Sequence, residues 1–172
     1  DAFWQAHAEG RWSRPLFEAG LCRSQRLVPT RAGFNHLLPS LEEMRQKVDD
    51  PIAYQYEHLD GLKCTLLSLN GLLEDLNFVA RIAGQAAPLS TSLYLPAPEL
   101  TTTLANFFSP LVNHIETTML SGEPPYPIER TLLTTGLTAA GAESLYQDQK
   151  KLDTPHLHIV YQPKPASTYW MT

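Results

Sequence analysis

Two dipeptides, Asp60-Gly61 and Asn70-Gly71, set the tightest limit on what this chain can fold into. Each stands between apolar runs. Asp-Gly or Asn-Gly at such a point is the strongest short-range signal for a hairpin, because glycine takes the positive φ of a tight turn without steric cost. Ile52–Glu57 and Leu62–Leu69 flank the first dipeptide, and Asn77–Ile82 and Leu89–Leu95 follow the second. The last run alternates, with Leu89, Thr91, Leu93 and Leu95 on one face. Strand, Asp-Gly, strand, Asn-Gly, strand predicts an antiparallel meander over residues 52–95.

The flanks read as helices. Asp1–Glu9 is amphipathic, with Gly10 placed to end it. Ser13 followed by Arg14-Pro15 is an N-cap with an early proline. Ser40 with Glu43 three residues on is a capping box, and Asp50-Pro51 stops that helix. Residues 26–39 read as loop. Beyond the extended break Pro96-Ala97-Pro98, Leu100–Phe108 starts a helix that Ser109-Pro110 restarts and Gly122 closes. A second helix spans Ile128 to Tyr146 along the stripe Ile128, Leu132, Leu133, Gly136, Leu137, Ala140, Gly141 and Ser144. Its two glycines predict a close neighbour. His156–Tyr161 reads as a last strand. The expected fold is α+β, a mainly antiparallel open sheet of four to six strands with helices packed on one face. It forms one domain, 1–172: a helical lead-in 1–50, strands 52–95, helix-helix-strand 96–162 and a tail 163–172.

Composition removes several classes. With 43% hydrophobic and 18% charged residues the chain is not of the disordered type. Thirteen basic against 18 acidic residues give a net charge of −5, which excludes an extensive basic footprint for nucleic acid. No apolar run approaches 18 residues, so no membrane partner is expected. Cys22 and Cys64 are too few for a disulfide framework and too far apart for a Cys-x-x-Cys site. Two free thiols fit a reducing, cytoplasmic setting.

The polar segment Asn70, Glu74, Asp75, Asn77 and Arg81 is the candidate binding site. Amides and carboxylates hydrogen-bond hydroxyls, so a turn of this kind can line a pocket for a small polyhydroxylated, sugar-like substrate. The competing reading is turn chemistry, with Asn-Gly for the bend and acids for solvation. Tyr54 and Tyr56 share one side of a strand with Ile52, the composition of an interface core. Packing beneath a helix of the same domain is the alternative, and Trp12, Tyr169 and Trp170 could extend either surface. His156 and His158 share a strand face without a third ligand, so they read as a solvated pair and no metal is expected. His114 reads as a core or interface histidine. No Ser-His-Asp arrangement supports a nucleophile.

One resemblance adds to this. The stretch Leu111-Val-Asn-His-Ile-Glu-Thr-Thr-Met-Leu-Ser-Gly-Glu-Pro-Pro-Tyr-Pro-Ile-Glu-Arg leads into a long helix. The turn Gln149-Lys150-Lys151 and the segment His156–Tyr161 follow it. The whole resembles the C-terminal end of the Gfo/Idh/MocA oxidoreductases, and the Asp-Gly hairpin with Leu69-Asn70-Gly71 after it is similar to that family's hairpin. The resemblance covers roughly residues 52–162. It implies a half that contacts substrate and forms a homo-oligomer through its sheet, while NAD or NADP binds an N-terminal Rossmann domain that this chain lacks. The nine glycines are never two apart, so there is no Gly-x-Gly-x-x-Gly turn. The family's Glu-Lys-Pro segment is also missing. None of the seven aspartates has a histidine four residues on, so the frequent Asp-x-x-x-His pair does not carry over and no catalytic residue is assigned. The implied function is a substrate-binding and oligomerisation half, not catalytically competent alone. The alternative is a non-catalytic binding or scaffold domain derived from the same fold. Calorimetric titration of the chain with NADH or NADPH is expected to give no micromolar binding; a saturating isotherm would contradict the missing phosphate-binding turn.

Overall fold

The computed structural model describes residues 2–24, 38–93 and 104–164. The chain forms two compact units, Asp1–Leu95 and Pro96–Thr172. The fold is α+β, with five helices and antiparallel strand pairs among the described residues. The expected loop at 26–37, the break at 96–98, the helix start at 100–103 and the aromatics Tyr169 and Trp170 lie outside the described residues.

The first unit begins with α1 (Ala2–Ala8), α2 (Arg14–Arg23) and α3 (Leu41–Lys47). Gly10 takes φ 74° and its N–H donates to the His7 carbonyl, ending α1. Ser13 Oγ accepts from Leu16 N at 3.4 Å to cap α2. The capping box of α3 is complete. Ser40 Oγ accepts from Glu43 N at 3.3 Å, and Glu43 Oε2 accepts from Ser40 N at 2.7 Å. These helices share a core with the strand region: Trp4, Leu21, Met44, Val48, Leu69 and Leu72 are buried, with Phe3, Phe17, Leu41, Leu67 and Leu73 packed around them. Each such side chain contributes roughly 1.5–3 kcal/mol on full burial. His7 sits between the Trp12 and Phe17 rings, at centroid distances of 5.7 and 5.3 Å. Burial, reinforced by Arg14 and opposed by Glu18, lowers its pKa.

Strand β1 (Ile52–Glu57) pairs antiparallel with β2 (Lys63–Ser68), and β3 (Leu76–Ala80) with β4 (Leu89–Leu93). The Asp60-Gly61 turn forms as expected. Gly61 N–H donates to the His58 carbonyl, His58 N–H donates to Leu62 O, and Gly61 has φ 86°. This is a three-residue hairpin loop with glycine in the left-handed position. The Asn70-Gly71 turn also forms, yet it does not continue a meander. Leu72 N–H donates to Leu69 O, Gly71 has φ 90°, and Asn70 keeps a negative φ. That is the type II pattern, which splays flanking strands where the mirror-image turns would keep them paired. Leu69 and Leu72 both turn into the core. The single expected meander therefore becomes two separate two-stranded ribbons.

The second unit holds α4 (Leu104–Ser121), α5 (Ile128–Tyr146) and a 3-10 turn, Pro155–Leu157. Two expectations are corrected here. Pro110 does not restart a helix; it lies inside α4, where its fixed φ suits the helix although one backbone donor is lost. His156–Tyr161 is not a strand. Pro155 begins a 3-10 turn, and the chain beyond makes no ladder. Its alternation survives as burial, with Leu157, Ile159 and Tyr161 half-buried and His156, His158 and Val160 exposed. Leu157 presses on Gly136 of α5 so closely that a Cβ there would overlap its Cδ2, which accounts for that glycine. Ile128 and Leu132, expected on the buried stripe of α5, are exposed.

The two turn glycines differ in surroundings. A Cβ at Gly61 meets nothing within 4 Å, whereas at Gly71 it would collide with the Lys47 carbonyl oxygen. Gly61→Ala is expected to cost about 1 kcal/mol for the positive φ alone. Gly71→Ala adds overpacking and is expected to cost roughly 2–4 kcal/mol. Urea unfolding of the two variants checks the order, which equal midpoints would refute.

Candidate functional site

The sequence-predicted polar segment does not form one cluster: Asp75 and Asn77 lie at the start of β3 and Arg81 past its far end. Asn70 is exposed on its turn, and Arg81 is exposed just after β3. Arg81 stands four residues from Asn77, about 13 Å away along an extended chain. Asp75 and Asn77 are half-buried and touch: Asn77 Nδ2 donates to Asp75 Oδ1 at 2.8 Å.

Two residues of α2 complete this polar group. Ser24, the C-cap of α2, donates its hydroxyl to Asp75 Oδ1 at 2.9 Å. Arg23 Nε donates to Ser90 Oγ on β4 at 2.8 Å. Helix α2 thus lies against β3 and β4, tied at its C-terminal end. A Cβ at Gly20 would sit 3.3 Å from Val79 Cγ2, so glycine lets the helix backbone approach the ribbon. These contacts span 51 and 67 residues, and no local pattern in the sequence announces them. Among the described residues Asn77 Oδ1 is buried without a hydrogen-bond donor, as is Trp12 Nε1 without an acceptor. An orphaned buried polar atom is costly and marks a place where geometry has been given priority over satisfaction.

The pairing register decides which side of each ribbon looks outward. In β3–β4, Leu76, Phe78 and Ala80 stand opposite Leu93, Thr91 and Leu89. Leu76, Phe78 and Leu89 on this face are 60, 57 and 47% exposed. Asn77, Val79 and Ser90 occupy the opposite face, toward α2. Leu76, Asn77, Phe78, Thr91 and Ser92 line an open depression of about 350 Å³. Phe78 was not among the predicted site residues. The strand alternation held that information, but only the register with β4 assigns it to the outer face.

In β1–β2, Tyr54 and Tyr56 do share a face with Ile52, and Leu66 and Cys64 stand opposite them. Leu66 is exposed, Tyr56 is at the edge of exposure and Tyr54 is half-buried. The Tyr56 hydroxyl pKa is raised, first by burial and then by Cys64 beside it. Trp12 is buried and packs against Phe3 at 5.0 Å, so it belongs to the core rather than to a binding face. Both cysteines are free thiols.

No group of three metal-ligating side chains occurs among the described residues. Among the described residues none forms a cradle for a dinucleotide. Its pyrophosphate needs a glycine-rich strand-to-helix turn, whereas α2 follows Ser13 and α5 follows Pro127 without a side-chain cap. No helix among the described residues is long and apolar enough to cross a membrane. Compared with known proteins, the chain matches no family model, no curated protein and no solved structure.

Asp75 is the acceptor that joins α2 to β3. Asp75→Ala leaves Ser24 Oγ and Asn77 Nδ2 without this partner and is expected to lower stability by about 1–3 kcal/mol. Asn70→Ala and Arg81→Ala, both at exposed positions, are expected to stay within about 0.5 kcal/mol. Denaturant melts of the three variants test the division; a silent Asp75→Ala would remove the tie.

Proposed function

We propose that this chain is the substrate-contacting and oligomer-forming half of an NAD(P)-dependent oxidoreductase of the Gfo/Idh/MocA type, not catalytically competent alone. The observation that carries the reading is the outward face of the β3–β4 ribbon. Leu76, Phe78 and Leu89 are apolar and open there, and Leu76, Phe78 and Thr91 of that face line the depression. An exposed aromatic beside the Thr91 hydroxyl suits a small polyhydroxylated ligand, whose C–H face packs on the ring while its hydroxyls find hydrogen bonds. Tyr54, Tyr56 and Leu66 supply a second apolar surface of the kind an oligomer covers. Two free thiols accord with a cytoplasmic protein. The dinucleotide, and with it the hydride chemistry, belongs to a Rossmann domain that residues 1–172 do not carry.

A second reading, a non-catalytic scaffold on the same fold, draws on a different observation. Asp75 accepts hydrogen bonds from Asn77 and from Ser24 instead of facing outward, and the chain has no Asp-x-x-x-His pair.

Thermal-shift measurements with a panel of polyols and aldoses separate the two. The oxidoreductase reading expects at least one of them to raise the melting temperature at millimolar concentration, and expects Phe78→Ala to abolish that rise without lowering the melting temperature of the free protein. No response to any member of the panel would leave the scaffold reading in its place.

A further inference from the structure

Helix α4 is turned the wrong way round for a helix that serves only its own unit. Its half-buried line is Pro110, His114 and Thr118, spaced four apart. His114 meets the Tyr126 ring edge-on at 6.5 Å, and Thr118 donates its hydroxyl back to the His114 carbonyl. Its apolar line is Phe108, Leu111, Val112, Ile115 and Met119, and these are 49, 52, 50, 50 and 81% exposed. At 100° per residue the five fall within an arc of about 100°, the width of a helix face meant to be covered. Nothing in the described part of the second unit is buried.

We propose that α4 is a self-association helix, whose outward stripe seats on the same stripe of a second copy, antiparallel about a two-fold axis between residues 113 and 114. Four of the five stripe residues then face an apolar residue of the second copy, and the same patch serves on both copies, as an isologous contact requires. In that arrangement Phe108 meets Met119 of the second copy, a sulfur–aromatic contact, and Val112 meets Ile115. Glu116 is the one acidic or basic residue, histidine apart, in the 18 residues of α4, so the face carries no charge pattern that would select an oppositely charged partner or repel its own copy. The stripe leaves on the order of 300 Å² of apolar surface open per copy. With apolar atoms making up about 60% of an interface, the pair would bury about 1,000 Å² in all, the size at which specific association begins. The expected product is a dimer. It deepens the proposed oligomer-forming role by assigning the contact to a helix instead of to the Tyr54 and Tyr56 strand face, and its tests do not depend on any dinucleotide or sugar.

Light scattering of the whole chain at high micromolar concentration is expected to give twice the mass of 19.3 kDa. Ile115→Glu and Val112→Glu, both at exposed positions, are expected to return it to one chain, weakening association at least tenfold with an unchanged circular dichroism spectrum. Disulfide trapping in a Cys22→Ser, Cys64→Ser background fixes the orientation. Phe108→Cys together with Met119→Cys should cross-link two copies on oxidation. Phe108→Cys alone should not, because its two copies would lie about 16 Å apart along the axis. A strictly monomeric wild type, a dimer that survives both glutamates, one dispersed by Tyr54→Glu instead, or cross-linking through Phe108→Cys alone would each overturn the proposal.

Discussion

The first unit depends on four residues, Leu69 to Leu72. Leu72 is fully buried and Leu69 nearly so, and the turn between them takes a positive φ at Gly71. Gly71 lies so close to the Lys47 carbonyl that no side chain would fit. One turn therefore does three things at once. It ends β2, presses the strand region against the end of α3, and drives two leucines into the core that α1, α2 and α3 share. Because its geometry is type II, it also sends the chain away from β2 instead of back along it. The separation of the two ribbons, and the outward faces each presents, follow from this one conformation.

The second ribbon is held by polar ties where the first is held by packing. Asp75 gathers Ser24 and Asn77, and Arg23 reaches Ser90, so the end of α2 is fastened to β3 and β4 at two points. With Asn77, Val79 and Ser90 turned toward the helix, strand alternation forces Leu76, Phe78 and Leu89 outward. The exposed apolar face is thus a consequence of the polar network on the other side. The same residues that anchor the ribbon create the surface from which a function is read.

Helix α4 of the second unit reverses the usual order of polar and apolar faces, whereas α5 keeps it. On α5 the half-buried line includes Leu133, Gly136, Leu137, Ala140 and Gly141, and Leu157 closes on Gly136. On α4 the half-buried line is proline, histidine and threonine, while six large apolar side chains, Leu120 included, are exposed among the described residues. Arg130 stacks over Tyr126 at 4.5 Å and Lys164 Nζ donates to the Pro124 carbonyl, so the proline-rich connection between the helices is braced by cations. A bracing of that kind fixes the connection without supplying a core.

Local chemistry was legible in the residues themselves. Ser13 and Ser40 capped the helices they were expected to cap. Gly10, Gly61, Gly71 and Gly122 took positive φ, and α5 ran from Ile128 to Tyr146. The α+β class and the antiparallel pairing followed from the same signals. Each of these rests on interactions between residues no more than a few positions apart, which a sequence displays directly. What joined distant positions was not legible. An Asn-Gly pair is compatible with a hairpin turn or a type II turn, and the burial of Leu72 chose between them. Asp75 and Asn77 were readable as a pair, but their partner Ser24 lies 51 residues away, and its hydroxyl makes them a tie as much as a site. His156–Tyr161 had the alternation of a strand and kept it as burial, yet made no ladder, because a strand is defined by a neighbour that its own residues do not specify. The sequence determined where the chain bends, caps and alternates; tertiary packing alone decided which apolar faces were covered and which were left open, because burial depends on what another part of the chain brings to the surface.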